Sequence, residues 1–226
     1  MTLDRRALLA GSLAALSAPR LARASTGARR FAVLRDGAEI GEHRIALARR
    51  DGALEVEIDI AIAVRILGIT FYSYEMTNRE RWTQGRLGSL DSRVREEGET
   101  REIRVRRGDG GLRVSGPAYD GTAPQDIATT TYFTSDFLDR PRWLSTDGGA
   151  LLAVSTRRLG AAEAETASGA AQVTRWRVTD GADYTVDVDY DADGEWAGIG
   201  FDARGERATY RADTLSDPLS ALWRGA

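Results

Sequence analysis

Alternate residues between positions 72 and 82 combine aromatic, apolar and polar side chains, and such a combination on one strand face can build a binding pocket. The residues are Tyr72, Tyr74, Met76, Asn78, Glu80 and Trp82. Because alternate side chains on a β-strand point to the same side, all six share one face. Pockets combine apolar walls with a few orienting polar groups. The pattern predicts ligand contacts from Tyr72, Tyr74, Glu80 and Trp82, and it is equally typical of an ordinary core meeting its rim.

Two titratable residues are expected to face inward. His43 is the single histidine and shares strand parity with Ile45 and Leu47, so it lies on the apolar side. It either bonds a neighbouring side chain or anchors the polar group of a ligand. One histidine cannot build a typical zinc site, and no serine–histidine motif accompanies it. A buried Glu80 would need a partner, for which we expect an arginine.

The largest segment without strand periodicity is rich in aromatic residues. Tyr132 and Phe133 begin it, and Trp143 stands near its end. Such loops often form the mouth or lid of a binding site, so Tyr132 and Trp143 join the candidate ligand-binding residues. Within the segment, Ser135 is expected to cap one turn of helix, and a second helix is expected to begin near Pro218.

Composition excludes several kinds of chemistry. The chain has no cysteine and no lysine, which excludes disulfides, thiolate metal sites, a cysteine nucleophile and lysine Schiff bases. Carboxylate pairs can act as acid and base, but no spacing singles one out, so no catalytic residue is assigned. We expect no cofactor.

A run of alternate aspartates at positions 187, 189, 191 and 193 raises the alternative of a calcium site. Calcium requires oxygens that converge from a loop, whereas the first three of these alternate along a strand and point the same way. Cross-strand pairing with arginines explains them better. We therefore predict no metal site.

The whole chain after residue 25 reads as antiparallel strands. Asp-Gly and related turn signals recur every 11–17 residues or so, and apolar residues alternate with charged ones between them, as in 54–65 and 184–191. One apolar and one charged face recur. We predict a mainly all-β fold: a single antiparallel meander of about ten strands, strongly curved or closed into a barrel or half-barrel, with one or two short helices.

The first 24 residues have the three parts of a secretory signal. Arg5 and Arg6 precede an apolar run of 12 residues, and a small-x-small site ends at Ala24. Adjacent arginines in this position resemble a twin-arginine signal. We expect cleavage between Ala24 and Ser25, export by the twin-arginine translocase, and a single mature β domain, 25–226, that is periplasmic or secreted and does not span a membrane.

Charge argues against one class of partner. The leader holds four arginines and one aspartate, so its removal shifts the net charge from −3 to −6. Non-specific binding to nucleic acid requires clustered positive charge, so we expect no nucleic-acid partner.

Four weak motifs occur in a fixed order along nearly the whole mature chain. They are residues 31–37 with 40–43, residues 80–82 with 85–87 and 90–92, residues 111–117, and residues 190–191 with 194–196 and 210. In these the chain resembles a family of exported bacterial proteins known only as a domain of unknown function. The resemblance implies an antiparallel β fold and no known activity. More distantly, the pattern is similar to the curved-sheet lipoprotein and lipid carriers of the bacterial periplasm.

Three functions follow as hypotheses. The first is binding or carriage of an apolar or amphipathic small molecule inside the curved sheet. The second is an interaction or assembly role in an envelope complex, without a ligand. The third is an enzyme that uses carboxylates alone. A cavity lined by the face of Tyr74 and Trp82 would favour the first, and a filled interior the second.

Replacing Arg5 and Arg6 together by lysine should leave an uncleaved precursor in the cytoplasm, because the paired arginines are the export motif. Cell fractionation followed by immunoblotting measures this. Normal export and cleavage of the double variant would contradict the twin-arginine assignment.

Overall fold

The computed structural model describes residues 25–66, 68–203 and 205–225. Arg5, Arg6 and Ala24 lie outside these residues, and Ser25 is the first described. The strands are β1 Thr26–Arg35, β2 Ala38–Arg50, β3 Ala53–Ile66, β4 Ile69–Thr83, β5 Arg86–Glu96, β6 Glu99–Gly108, β7 Gly111–Ser115, β8 Asp120–Ala123, β9 Ala128–Thr129, β10 Arg142–Leu144, β11 Leu151–Ala153, β12 Ser155–Thr166, β13 Gly169–Thr179, β14 Thr185–Tyr190, β15 Trp196–Ala203 and β16 Glu206–Ala212. A 3-10 helix covers Ser135–Asp139, and the α-helix α1 covers Leu219–Arg224. Neither helix is long and apolar enough to cross a membrane.

Thirteen strands form one large sheet in the order β12-β13-β14-β15-β16-β1-β2-β3-β4-β5-β6-β7-β8. The two meanders, β1–β8 and β12–β16, are joined because the first strand pairs antiparallel with the last, with Phe31 opposite Ala212. Thr166 on β12 also pairs with Ala212, in parallel, which curls the second meander back onto itself. The predicted all-β class with a strongly curved antiparallel sheet is confirmed.

The sheet has more strands than the ten or so that the turn signals indicated. The additional ones are short: β8 has four residues and β9 only two. Strands of this length show no readable alternation. Three of them, β9, β10 and β11, form a separate small sheet in which β9 and β10 run parallel.

Asp-Gly turns close the long hairpins as expected. At the turn between β1 and β2, Asp36 has a φ of 49° and Gly37 a φ of 79°. Asp51 and Gly52 repeat this at the next turn, with φ of 50° and 74°. Successive residues with positive φ match the twist of a two-residue hairpin, and aspartate and glycine tolerate that region best.

An inner segment, residues 124–154, packs against the concave face of the large sheet. It contains β9, the 3-10 helix, β10 and β11, and its Phe133, Phe137, Trp143 and Leu144 are fully or almost fully buried. These side chains belong to the same core cluster as the inward residues of β3–β7. The cap of the 3-10 helix is Thr134, whose hydroxyl accepts a hydrogen bond from Asp136 N, and not Ser135 as predicted.

A buried ion pair ties the two ends of the chain together. Arg29 on β1 and Glu195 before β15 lie 3.1 Å apart, with 0% and 5% of their side chains exposed. The Arg29 guanidinium also donates to the backbone oxygens of Trp196 and Asp217 at 2.8 and 2.7 Å. Glu195 accepts hydrogen bonds from Ser220 N at 2.8 Å and from Leu219 N at 3.0 Å, so this carboxylate caps α1 from a distance. Pro218, at the predicted helix start, gives no side-chain cap of its own.

Substituting Arg29 by methionine should lower the free energy of unfolding by about 3–5 kcal/mol, because Glu195 would remain buried without its counter-charge. Urea denaturation followed by circular dichroism measures this. The matched control is Arg104→Met, whose exposed pairing with Glu102 should contribute little. Equal stability of the two variants would contradict the structural role of the pair.

Candidate functional site

Strand β4 divides its side chains between two faces, as its alternation predicts. On the inward face, the side chains from Met76 to Trp82 are buried, while Tyr72 and Tyr74 are half-buried. The alternate residues from Glu75 to Thr83 are exposed. The inward face of β4 therefore has a closed end at Trp82, here named the Trp82 end, and a partly open one at Tyr72, named the tyrosine end.

The Trp82 end is filled by the protein's own side chains. The Trp82 ring centroid lies 5.2 Å from that of Phe137 and 5.3 Å from that of Trp223 in α1. The Arg140 guanidinium lies 5.7 Å from the Trp82 ring, within the range of a cation–π contact. Trp143 is also fully buried, 6.3 Å from Phe137. Both candidate tryptophans thus lie in packed core.

Glu80 is buried without an arginine partner among the described residues, so that part of the prediction is wrong. Its carboxylate accepts hydrogen bonds from Trp82 Nε1 at 2.7 Å, Asn78 Nδ2 at 3.0 Å and Thr129 Oγ1 at 3.3 Å. Thr129 lies on β9, so the bond joins the large sheet to the inner segment. Burial raises the pKa of Glu80 to about 7, although these hydrogen bonds oppose the shift.

Tyrosines from separate parts of the chain converge at the tyrosine end. Tyr132 and Tyr184 share a hydrogen bond between their hydroxyls at 2.8 Å. Tyr210 on β16 interacts electrostatically with Tyr132 and with Tyr72. Burial is the main reason that the pKa values of Tyr74, Tyr184 and Tyr210 lie above the ordinary tyrosine value. These phenols stay neutral at physiological pH and can act as hydrogen-bond donors and acceptors.

A network of charged side chains, Glu96, Arg101 and Asp147, holds the hydroxyls of Tyr72 and Tyr74 in place. The Tyr72 hydroxyl donates to Glu96 Oε1 and the Tyr74 hydroxyl to Asp147 Oδ1, each at 3.0 Å. One guanidinium nitrogen of Arg101 donates to both carboxylates, at 3.0 Å to Glu96 and 2.9 Å to Asp147. This network connects β4, β5 and β6 with the loop after β10.

His43 is buried beside Tyr210 of the tyrosine end and is surrounded by three aromatic rings. Its ring centroid is 5.3 Å from Trp196, 5.4 Å from Tyr210 and 5.9 Å from Phe31, all edge-to-face. Neither Nδ1 nor Nε2 has a hydrogen-bond partner among the described residues. The interpretation in which His43 bonds a neighbour is therefore wrong. Burial lowers its pKa to about 3, so the ring is neutral at physiological pH.

Tyr132 connects the inner segment to the aromatic residues around His43. Its ring lies 5.9 Å from both Trp196 and Trp143. Its backbone has a φ of 57°, a left-handed conformation that is costly for a non-glycine residue and that concentrates at ligand sites and switches. Burial raises its pKa to about 12.

The aspartates of β14 form an arginine ladder, as predicted, in place of a calcium site. Arg175 binds Asp189 through two hydrogen bonds of 2.8 and 2.7 Å, and Arg177 binds Asp187 at 2.8 and 3.0 Å. Arg207 on β16 adds a third contact, 3.1 Å from Asp187. No group of three or more potential metal ligands occurs in the part of the chain that the structure describes.

Four aromatic residues of the site escaped the sequence-based prediction: Phe31, Tyr184, Trp196 and Tyr210. Strand parity places Tyr184 on the apolar side of its strand but does not show which distant residue it faces. Trp196 lies between Glu195 and Ala197, and Tyr210 lies between Thr209 and Arg211, so no aromatic run marks them. Their proximity to His43 results from the pairing of β1 with β16, which joins residues at opposite ends of the sequence.

Residues 31–213 match the sequence profile of a family described as a domain of unknown function, DUF6134. The chain belongs to this family. The predicted membership of a family without a known activity is confirmed. The DUF6134 fold is similar to a crystal structure of a beta-barrel-like protein of the domain of unknown function DUF1849 from Brucella abortus, with a TM-score of 0.57 and 8% sequence identity over 83% of this chain and 94% of that chain. This similarity shows the fold alone. No curated protein matches the DUF6134 chain.

Glu80 should make the free energy of unfolding fall as the pH rises from about 4.5 to about 7. Its pKa rises from 4.5 to about 7 on folding, so the native protein holds an extra proton between these values. The stabilisation is full below pH 4.5 and is lost as pH rises through 7. We expect the stability of the wild type relative to Glu80→Gln to fall by roughly 3 kcal/mol between acid and pH 8.

Urea denaturation at a series of pH values measures this difference, in which the contribution of His43 cancels. Glu57→Gln on the exposed face of β3 is the matched control, for which no such trend is expected. A pH-independent difference between wild type and Glu80→Gln would show that the Glu80 carboxyl is not protonated preferentially in the native state.

Proposed function

We propose that this protein binds a small molecule with an apolar body and one hydrogen-bonding group at the tyrosine end of its curved sheet. The observation that carries the proposal is His43, whose two ring nitrogens are buried without a partner among the described residues. More than nine in ten buried polar groups in proteins form a hydrogen bond, and an exception calls for an explanation. A ligand group that pairs with the imidazole supplies one.

An unsatisfied buried polar atom costs about 1–3 kcal/mol, and a ligand that pairs with it recovers that cost on binding. Because the pKa of His43 is lowered to about 3, the neutral ring offers one donor and one acceptor. A hydroxyl, amide or carboxylic acid group can pair with either nitrogen.

The surroundings of His43 select the rest of the ligand. Phe31, Trp196 and Tyr210 present aromatic edges and faces to its ring. Apolar walls with a few polar groups are typical of small-molecule sites. Tyr210 is only half-buried, so it reaches from His43 towards the surface. We therefore propose that the ligand is an aromatic or branched apolar compound and that it enters beside Tyr210.

A site deeper inside the sheet has less support. The Trp82 end is packed with side chains of the inner segment and of α1. Grooves of about 320 and 920 Å³ lie on the charged outer face, and their linings include neither Tyr74 nor Trp82. Of the residues expected to bind ligand, we keep His43, Tyr72, Tyr74 and Tyr132 and assign Glu80, Trp82 and Trp143 to the core.

The filled Trp82 end also favours a second candidate function, an interaction or assembly role in the cell envelope without a ligand. A carboxylate enzyme gains no support, because Glu96 and Asp147, the two acids nearest the site, share Arg101 as counter-ion at the surface. We propose that the protein performs its role, whether ligand binding or envelope interaction, outside the cytoplasm after twin-arginine export and removal of residues 1–24.

Mass spectrometry of the protein purified from the cells that make it, first native and then denatured, tests the ligand. We expect a stoichiometric small molecule that the wild type releases on denaturation. His43→Phe should reduce its occupancy at least fivefold, because the polar anchor is lost while the volume of the ring is kept. The apolar probe N-phenyl-1-naphthylamine should show the same difference in fluorescence titrations.

Tyr119→Phe, an aromatic substitution outside the site, is the matched control and should leave occupancy unchanged. His43→Phe should also be at least as stable as the wild type, so lost binding cannot be ascribed to unfolding. A wild type that releases nothing and does not bind the probe would overturn the proposal in favour of the envelope interaction role.

A further inference from the structure

The hairpin formed by β3 and β4 continues beyond the points where it pairs with the neighbouring strands. Pairing of β2 with β3 ends at Gly41 and Ile62, and pairing of β4 with β5 begins at Tyr74 and Glu96. Beyond these points the ladder continues between β3 and β4, as far as Ile66 and Ile69, and Glu97 N in the turn after β5 also donates to Ser73 O. Residues 63–66 and 69–72, here named the hairpin tip, run for about 13 Å beyond the last residues that pair with β2 or β5, and a groove separates Ala63–Arg65 from Ala38–Ile40 of β2.

The hairpin tip concentrates the exposed apolar surface of the protein. Ile69 is 63% exposed and Phe71 is 59% exposed, and Leu159 at 37% is the one other large exposed hydrophobic residue among those described. Elsewhere the outer face of the sheet carries cross-strand ion pairs, such as Arg93 with Glu102. An exposed apolar hairpin whose outer edges lack a neighbouring strand is a feature that proteins normally suppress with charges or proline, so its presence indicates an interaction site.

The charge at the tip is positive. Arg65 is the single charged residue between positions 63 and 74. It is exposed, and no ion pair joins it to another described residue. Four acidic residues line the same groove as Arg65: Asp36, Glu39, Glu75 and Glu206. The last three form ion pairs with Arg211, Arg95 and Arg35, respectively.

Size and charge together distinguish between the possible occupants. A stable protein–protein interface needs roughly 20–30 residues a side, far more than a two-stranded tip of about eight offers. A bilayer interface needs only a few apolar side chains that enter the headgroup region, with a cation nearby to attract anionic lipids. Docking of this kind places the tip in the headgroup region and not in the hydrocarbon core, so the outward-facing backbone groups of its two strands stay in contact with water and headgroups.

We infer that the hairpin tip docks the protein on an anionic phospholipid bilayer by inserting Ile69 and Phe71, with Arg65 at the headgroups. Tyr72 belongs both to the tip and to the tyrosine end, so docking brings the tyrosine end to the membrane surface. This inference rests on exposure and charge and does not require the proposed ligand site to be correct. A His43 variant tests that site, whereas tip variants test docking.

The absence of cysteine from the chain allows a position-specific test on the full-length protein. Phe71→Cys and, as matched control, Leu159→Cys are each labelled with the environment-sensitive fluorophore NBD. Vesicles of phosphatidylglycerol and phosphatidylcholine are then added. We expect a blue shift and quenching by brominated acyl chains at position 71 and neither at position 159. Because the label reports its own position, binding of residues 1–24 to the vesicles cannot produce this result.

Flotation of the unlabelled protein with the same vesicles gives the second measurement. The double variant Ile69→Glu with Phe71→Glu should lower binding at least about tenfold relative to Leu159→Glu. Arg65→Gln should weaken binding to anionic vesicles and leave binding to pure phosphatidylcholine unchanged. A label at position 71 that stays as water-exposed as at 159 would overturn the inference. A blue shift that appears without vesicles as protein concentration rises would overturn it in favour of self-association.

Discussion

The guanidinium of Arg29 is surrounded by acceptors that come from distant parts of the chain. It pairs with Glu195 and donates to the backbone of Trp196 and Asp217, while Glu195 in turn caps α1. A buried arginine is tolerated only when its donors are satisfied in this way. The contact fixes the junction of the two meanders, and it holds α1 so that Trp223 packs on Trp82. Both the junction of the two meanders and the filling of the Trp82 end depend on it.

The two ends of the concave face consequently differ in character. At the Trp82 end, the inner segment and α1 supply the aromatic side chains that complete an ordinary core. At the tyrosine end, phenols and a neutral histidine remain where a core would place aliphatic residues. The tip of the same β3–β4 hairpin exposes Phe71 a few residues away. The proposed ligand site and the proposed membrane contact are thus neighbours, because the hairpin that carries Phe71 also supplies Tyr72 and Tyr74 to the tyrosine end.

Much of the fold could be predicted from the sequence because strand alternation and Asp-Gly turns are local signals. The faces of β4 and the arginine partners of Asp187 and Asp189 agree with that reasoning. Of the three partners of Glu80, Asn78 and Trp82 share its strand face, but Thr129 could not be predicted, since it lies 49 positions away on a two-residue strand. The lack of a partner for His43 was equally hidden. Periodicity shows on which side of a strand a residue lies and does not show what faces it.

By itself, the sequence determined the all-β class, the curvature, the positions of the hairpin turns and the choice of which side chains face inward. Each of these follows from interactions between residues close in the chain or directly across a hairpin. The tertiary structure alone decided that the inner segment fills the Trp82 end, that Arg29 meets Glu195, and that His43 lies among Phe31, Trp196 and Tyr210. Except for Phe31, which lies directly opposite His43 across the β1–β2 hairpin, these contacts join residues that are far apart in the chain. The contacts of Arg29 and His43 depend on the pairing of β1 with β16, which brings the two meanders together.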